Sequence, residues 1–202
     1  MRSKITIPIY FDYGSTLCYV AWRIVKELET ELDFVPLWKG VPIYQRNRQA
    51  QPGRPLDTIA RMKIMTALAE TGITVQPLEC WIDSSAALEG AELARDAGVL
   101  PDYHERVFQE AFEFRRDITN PARLARIAAE CGLDPRSFQA QLESHSMASR
   151  ITDNQAEADR LSAVGYPTFI LGDFPLIGIQ PIASMRLLFR RFIDQRSQEL
   201  AT

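Results

Sequence analysis

Ile5-Thr6-Ile7-Pro8-Ile9-Tyr10-Phe11-Asp12-Tyr13, followed by Gly14-Ser15-Thr16-Leu17-Cys18-Tyr19, is the stretch that decides how this chain folds. The first nine residues alternate β-branched and aromatic side chains, which is the pattern of a strand. Gly14 breaks the run. Ser15 can then cap a helix extending to about Glu29, with Val20, Ile24 and Leu28 on one face. Pro8 is awkward inside a strand and implies that local ladder bonds are missing or lie on an edge. Asp33–Trp38 reads as a second strand. The opening is therefore β-α-β, with a right-handed crossover expected.

Far downstream, Val164-Gly165-Tyr166-Pro167-Thr168 opens a second apolar run, Phe169–Leu171. Thr168–Leu171, the turn Gly172-Asp173 and Phe174–Ile177 read as a hairpin. A last helix, Pro181–Arg196, carries Met185, Leu188, Phe189 and Ile193 on its apolar side. Between the two ends, Lys39–Leu56 is a loop rich in Pro, Gly, Gln and Arg. A long helical region then runs from about Asp57 to about Leu142. It is punctuated at Gly72, Gly98 to Pro101, Asn120-Pro121 and Gly132 to Pro135. Ser146–Val164 reads as one more helix. The expected class is α/β, ordered β-α-β, helical insertion, β-β-α. Residues 1–54 and 147–202 would form the sheet domain and residues 55–146 an inserted all-helical domain.

Composition narrows the function classes. The chain has 202 residues, 46% hydrophobic and 24% charged, ordinary values for a globular protein. A net charge of −3 offers no general attraction to nucleic acid or to an anionic membrane. Met1-Arg2-Ser3-Lys4 leads straight into strand pattern with no signal-peptide core, so a cytoplasmic address is the expectation. Three cysteines at wide spacing and two histidines fit neither a disulfide framework nor a metal centre. Cys80 and Cys131 read as packing residues. His104 and His145 read as exposed helix residues. Arg115-Arg116 and Arg190-Arg191 read as solvated faces, with binding of a carboxylate substrate by a cleft-facing arginine as the alternative. Trp38, Tyr44 and Trp81 can line a pocket or fill core, and core is the expectation.

The first turn carries the chemistry. A helix N-terminus presents free N–H groups and the positive end of the helix dipole, and both favour a thiolate. Ser15 has two readings there. It is a plain N-cap, or its hydroxyl donates a hydrogen bond to a thiolate brought by a ligand. Cys18 lies one helical turn on. It is an inert small hydrophobe, or a thiol open to oxidation or glutathionylation. Serine lacks a base nearby in sequence and is no nucleophile by itself.

This pairing of turn and late proline resembles the DsbA-like branch of the thioredoxin superfamily. Further support comes from Phe11-Asp12, Ala111-Phe112 with Asp117-Ile118, Gly132-Leu133-Asp134 and Gly178-Ile179-Gln180-Pro181. The last two stretches resemble the cytoplasmic FrnE-like subgroup. The resemblance implies a thioredoxin-like core with a helical insertion, and a cis peptide bond at Tyr166-Pro167. Ser15 stands where that family has its nucleophilic cysteine, and Cys18 where it has the resolving one, so the two-cysteine exchange cycle is unavailable. Kappa-class glutathione transferases and 2-hydroxychromene-2-carboxylate isomerases are similar and place a serine here to hold the glutathione sulfur. Their motif has a proline after the serine, where this chain has Thr16, and their Asp-Arg pair is replaced by Gln180-Pro181. Asn47 roughly matches a glutathione-contacting asparagine of those enzymes.

The resemblance implies a thiol-handling enzyme of oxidoreductase type. Ser15 and Cys18 would be the catalytic residues, and Thr16, Leu17, Tyr166, Pro167 and Thr168 the substrate-binding ones. Glutathione is the implied cofactor, with no metal. The partner would be a small thiol, a small-molecule substrate or an extended peptide, and a homodimer is consistent with the glutathione-using relatives. A glutathione-dependent isomerase or transferase is the second reading. A non-catalytic binding protein using the Pro167 edge is the third.

Overall fold

A computed structural model describes residues 4–200, the side chain of Arg46 excepted. Its sheet is four-stranded, in the order Phe34–Gly40 (β2), Ile5–Phe11 (β1), Thr168–Leu171 (β3) and Phe174–Ile177 (β4). β1 (Ile5–Phe11) and β2 (Phe34–Gly40) are parallel, joined by α1 (Thr16–Glu29). β3 (Thr168–Leu171) and β4 (Phe174–Ile177) form an antiparallel hairpin, and β3 runs antiparallel to β1. This is the α/β, thioredoxin-like arrangement expected from the sequence. Gly172 turns the hairpin at φ 68°, a backbone region open to glycine at little cost.

Pro8 is not on an edge, because β1 is central. β3 pairs with only Ile9 and Tyr10 of β1, so the ladder on that side has ended before Pro8. On the other side Pro8 keeps its register with Leu37 of β2. The sequence signal was right about missing ladder bonds, and short β3 is the cause.

Six helices fill the stretch between the strands after the short α2 (Ile43–Arg46). They are α3 (Thr58–Thr71), α4 (Ser85–Asp96), α5 (Leu100–Phe108), α6 (Pro121–Glu130), α7 (Pro135–Glu143) and α8 (Ala148–Arg160). Local chemistry sets their ends. Asp57, Asn120 and Asp134 cap α3, α6 and α7 through side-chain acceptance of backbone N–H groups, and Pro121 and Pro135 begin the latter two. The expected helical run is interrupted, however. Residues 72–84 form an extended strap, bridged to residue 55 by a Pro55–Cys80 pairing. α5 also continues into a π-helical turn, Gln109–Glu113.

The last helix, α9 (Ile182–Glu199), buries Met185, Phe189 and Ile193 against the sheet. Phe189 meets Phe34 and Phe169 edge-on at ring separations of 5.4 and 5.6 Å. Arg186 ties α9 to the end of α1 through Glu27 at 2.8 Å and Glu31 at 2.9 Å.

His104 departs from expectation. It is buried on α5, in edge contact with Phe11 and Phe108 and inclined against Trp38. Its Nδ1 lies 2.9 Å from the Tyr13 hydroxyl, and its Nε2 is buried without a partner among the described residues. Burial, with Arg95 adding to it, holds its pKa well below the ordinary imidazole value. It is therefore a neutral core residue joining the strand domain to the helices. Trp38 is core, as expected.

Candidate functional site

The first turn of α1 is built on Asp12. Its carboxyl is buried and accepts the Gly14 and Ile43 N–H groups, each at 2.6 Å, and the Ser84 hydroxyl. Burial raises its pKa, and these donors oppose the rise. The effect is to fasten the end of β1, the start of α2 and the start of α4 at one point. Gly14 is glycine for lack of room: a Cβ there would sit 2.9 Å from Ile82 Cγ1 of the strap.

Ser15 is the N-cap in extended conformation (φ −108°, ψ 118°), and its Oγ accepts the Cys18 N–H at 3.3 Å. The residue is 6% exposed and lines a cavity of about 310 Å³. Thr16 and Leu17 line the same cavity. Their N–H groups lie in the first turn, where a helix supplies no acceptor of its own. Thr16 Oγ1 also accepts the Leu78 N–H of the strap at 3.4 Å.

Cys18 does not reach the cavity. Its side chain is fully buried, outside the cavity wall, with Sγ accepting the Asp12 N–H at 3.4 Å. Burial pushes its thiol up to about 12, against the opposing hydrogen bonds from Ser15 and the Asp12 amide. A thiol in that condition is a packing group, and the expectation that Cys18 is catalytic is not supported by its surroundings.

Across the cavity the Tyr166–Pro167 peptide bond is cis. Tyr166, Gly165 and Val164 line the cavity beside Ile177 and Gly178. Pro167 and Thr168 are buried behind that wall, and the Thr168 hydroxyl is spent on the Gly165 carbonyl. Direct substrate contact by those two, as expected from the sequence, is therefore not provided in this arrangement. The remaining walls are Ile43 and Asn47 near α2, Leu56, α3 through Ile59, Ala60, Lys63 and Ile64, and the strap through Leu78 and Trp81. The lining is mainly apolar, with Asp57 and Lys63 as its charges.

Trp81 corrects an expectation, since it lines the cavity instead of filling core. Its indole Nε1 is buried without a hydrogen-bond partner among the described residues. Tyr44 is half-buried and bonds the Ser85 hydroxyl at 2.9 Å, off the cavity wall. Asn47 reaches the cavity, and its Oδ1 accepts the Gln49 N–H at 2.9 Å. Cys80 and Cys131 are half-buried, free and far apart in sequence. His145 is exposed and bonds Glu89 at 2.9 Å. Arg116 pairs with Glu110 at 2.7 Å, while Arg115 bonds backbone carbonyls of the strap. Arg190 and Arg191 are exposed. No group of three metal-ligating side chains is present among the described residues. The contributions of α3 and the strap had no local signal, because each is a contact across roughly forty residues or more of chain.

The sequence profile of the DSBA-like thioredoxin domain matches residues 6–189. The uncharacterized protein YwbO of Bacillus subtilis (strain 168) is 26% identical over 181 residues, covering 85% of this chain and 89% of that protein. Among solved structures, a 2-hydroxychromene-2-carboxylate isomerase is similar with a TM-score of 0.78 at 16% identity, covering 96% of this chain and 98% of that one. The cytosolic disulfide reductase DsbM from Pseudomonas aeruginosa, solved with GSH, is similar with a TM-score of 0.67 at 17% identity, covering 98% of this chain and 100% of that one. Isomerase and reductase thus share this topology, and the profile match spans nearly the whole sequence: the chain belongs to the DSBA-like thioredoxin domain family.

Proposed function

We propose that this protein binds a small thiol of the glutathione type with its sulfur at Ser15, and presents it to an apolar second substrate in an isomerase- or transferase-type reaction. The observation that carries the reading is the different access of Ser15 and Cys18 to the cavity. The hydroxyl lines the cavity, and the thiol is buried outside it with a pKa raised to about 12. A ligand must therefore bring the reactive sulfur. A hydroxyl rotates to suit its acceptor, so Ser15 can turn its proton to a ligand thiolate while still accepting the Cys18 N–H. The first-turn amides and the helix dipole favour the same charge. Mainly apolar walls suit an uncharged or weakly polar second substrate. The similarity to an isomerase and to a reductase solved with GSH supports the choice of thiol.

Calorimetric titration with reduced glutathione tests the proposal. Saturable binding to the native protein is expected. Ser15→Ala and Ser15→Gly should each weaken it by about tenfold, the loss of one charge-assisted hydrogen bond. Alanine removes the cap at about 1 kcal/mol and glycine at a few tenths, so equal losses of affinity in the two place the effect on the ligand. Cys18→Ala should bind as the native protein does. Absence of binding to the native protein, or binding by both Ser15 variants as tight as that of the native protein, rejects the reading. Binding with no turnover of any electrophile would leave a thiol-binding protein.

A further inference from the structure

The strap that closes the cavity over Ser15 is held by a residue that touches neither Ser15 nor the cavity. Arg115 follows the π-helical turn and has a left-handed backbone (φ 56°), rare for a side chain with a Cβ. From there its guanidinium reaches the strap. One nitrogen, Nη1, donates to the Gln76 carbonyl at 3.2 Å and to the Pro77 carbonyl at 3.1 Å. The next strap residue, Leu78, donates its N–H to Thr16 in the first turn of α1. The π-helical turn is itself fastened to α1, because the Tyr19 hydroxyl donates to Glu113 at 3.0 Å. These bonds close a ring: α1 at Tyr19, Glu113, Arg115, the 76–77 carbonyls, Leu78, and α1 again at Thr16.

We propose that Arg115 is a positioning residue that fixes the strap against the first turn of α1 and so sets the width of the cavity over Ser15. The inference rests on reading that cavity as the thiol site. Leu78 and Trp81 are the cavity residues the strap supplies. Trp81 has a second anchor, since its N–H donates to the Arg54 carbonyl and its carbonyl accepts the Gly53 N–H. Leu78 is held by Thr16, at the long distance of 3.4 Å, and the next anchor along the strap is the Glu79 carbonyl, which accepts the Leu56 N–H at 2.9 Å. The control Arg115 exerts is therefore confined to the Leu78 end, beside Ser15.

Amide hydrogen exchange and glutathione titration on Arg115→Ala and Arg115→Lys test this. In Arg115→Ala, exchange at Leu78 should rise about tenfold, while Trp81 and the α1 amides stay protected as in the native protein. Glutathione affinity should fall about fivefold, as suits an exposed charge-assisted pair. Because a single nitrogen makes both bonds, Arg115→Lys should recover at least half of each change. Unchanged exchange at Leu78 overturns the proposal. So does a rise of equal size across Leu78, Trp81 and α1, which would mark general loosening. Faster exchange at Leu78 with unchanged glutathione affinity also overturns it. If the native protein does not bind glutathione at all, the thiol reading falls, and faster Leu78 exchange confined to that end still supports Arg115 as the residue that positions the strap.

Discussion

Ser15 and Cys18 lie one helical turn apart and meet different surroundings. One faces a cavity and the other faces core, although both belong to the same four-residue turn. The expected consequence is chemical silence at Cys18. With its thiol at about 12 against an ordinary 9.0, its thiolate fraction at pH 8 is about a thousandfold below that of a free cysteine. Alkylation of the native protein at pH 8, followed residue by residue by mass spectrometry, should modify half-buried Cys80 and Cys131 and leave Cys18 intact until the protein unfolds. Prompt native labelling of Cys18 would refute this burial argument. The turn itself was legible in the sequence, because a serine cap after a broken strand is a local pattern. The depth of Cys18 was not legible, since it depends on what Asp12 and the neighbouring elements place over it.

Elements with a clear period were the readable ones. α1 and α9 repeat their apolar residues about every 3.6 positions, the β3–β4 hairpin is two short apolar runs about Gly172-Asp173, and their spans match the reading within a few residues. The strap could not be read this way, because Pro77 and scattered apolar residues carry no period and its partners lie in α1 and the residue 54–55 loop. α4 offers a test of how tightly elements pack. Its Gly90 has no space for a side chain: a Cβ would meet the Tyr103 hydroxyl and stand 2.8 Å from Phe138 Cζ. Gly90→Ala gains up to about 1 kcal/mol in helix propensity. Overpacking between α4, α5 and α7 should cost about 1–3 kcal/mol and outweigh that gain. Urea unfolding should therefore show net destabilisation, and a neutral or stabilised variant would mean the helices separate easily.

At the scale of the molecule, sheet and helices share one buried cluster. It runs from Ile7 and Phe11 through Trp38 and Phe108 to Leu124 and Phe138. His104 sits in it between Tyr13 of the β1 end and Phe108 of α5. The helical stretch therefore has no separate core of its own to hold it together. Unfolding followed by far-ultraviolet and by near-ultraviolet circular dichroism should give coincident transitions. Two separated transitions would show that the inserted helices melt independently. No helix among the described residues is long and apolar enough to cross a membrane.

One indole carries a consequence for experiment. Of the three tryptophans, Trp22 and Trp38 are shut inside the core, and Trp81 alone borders the cavity, its N–H without a partner among the described residues. Indole emission shifts in colour and yield with the polarity around the ring and with the state of that N–H. The protein thus comes with a fluorophore at the mouth of its own site, and occupancy of the cavity has a built-in optical signal that needs no label.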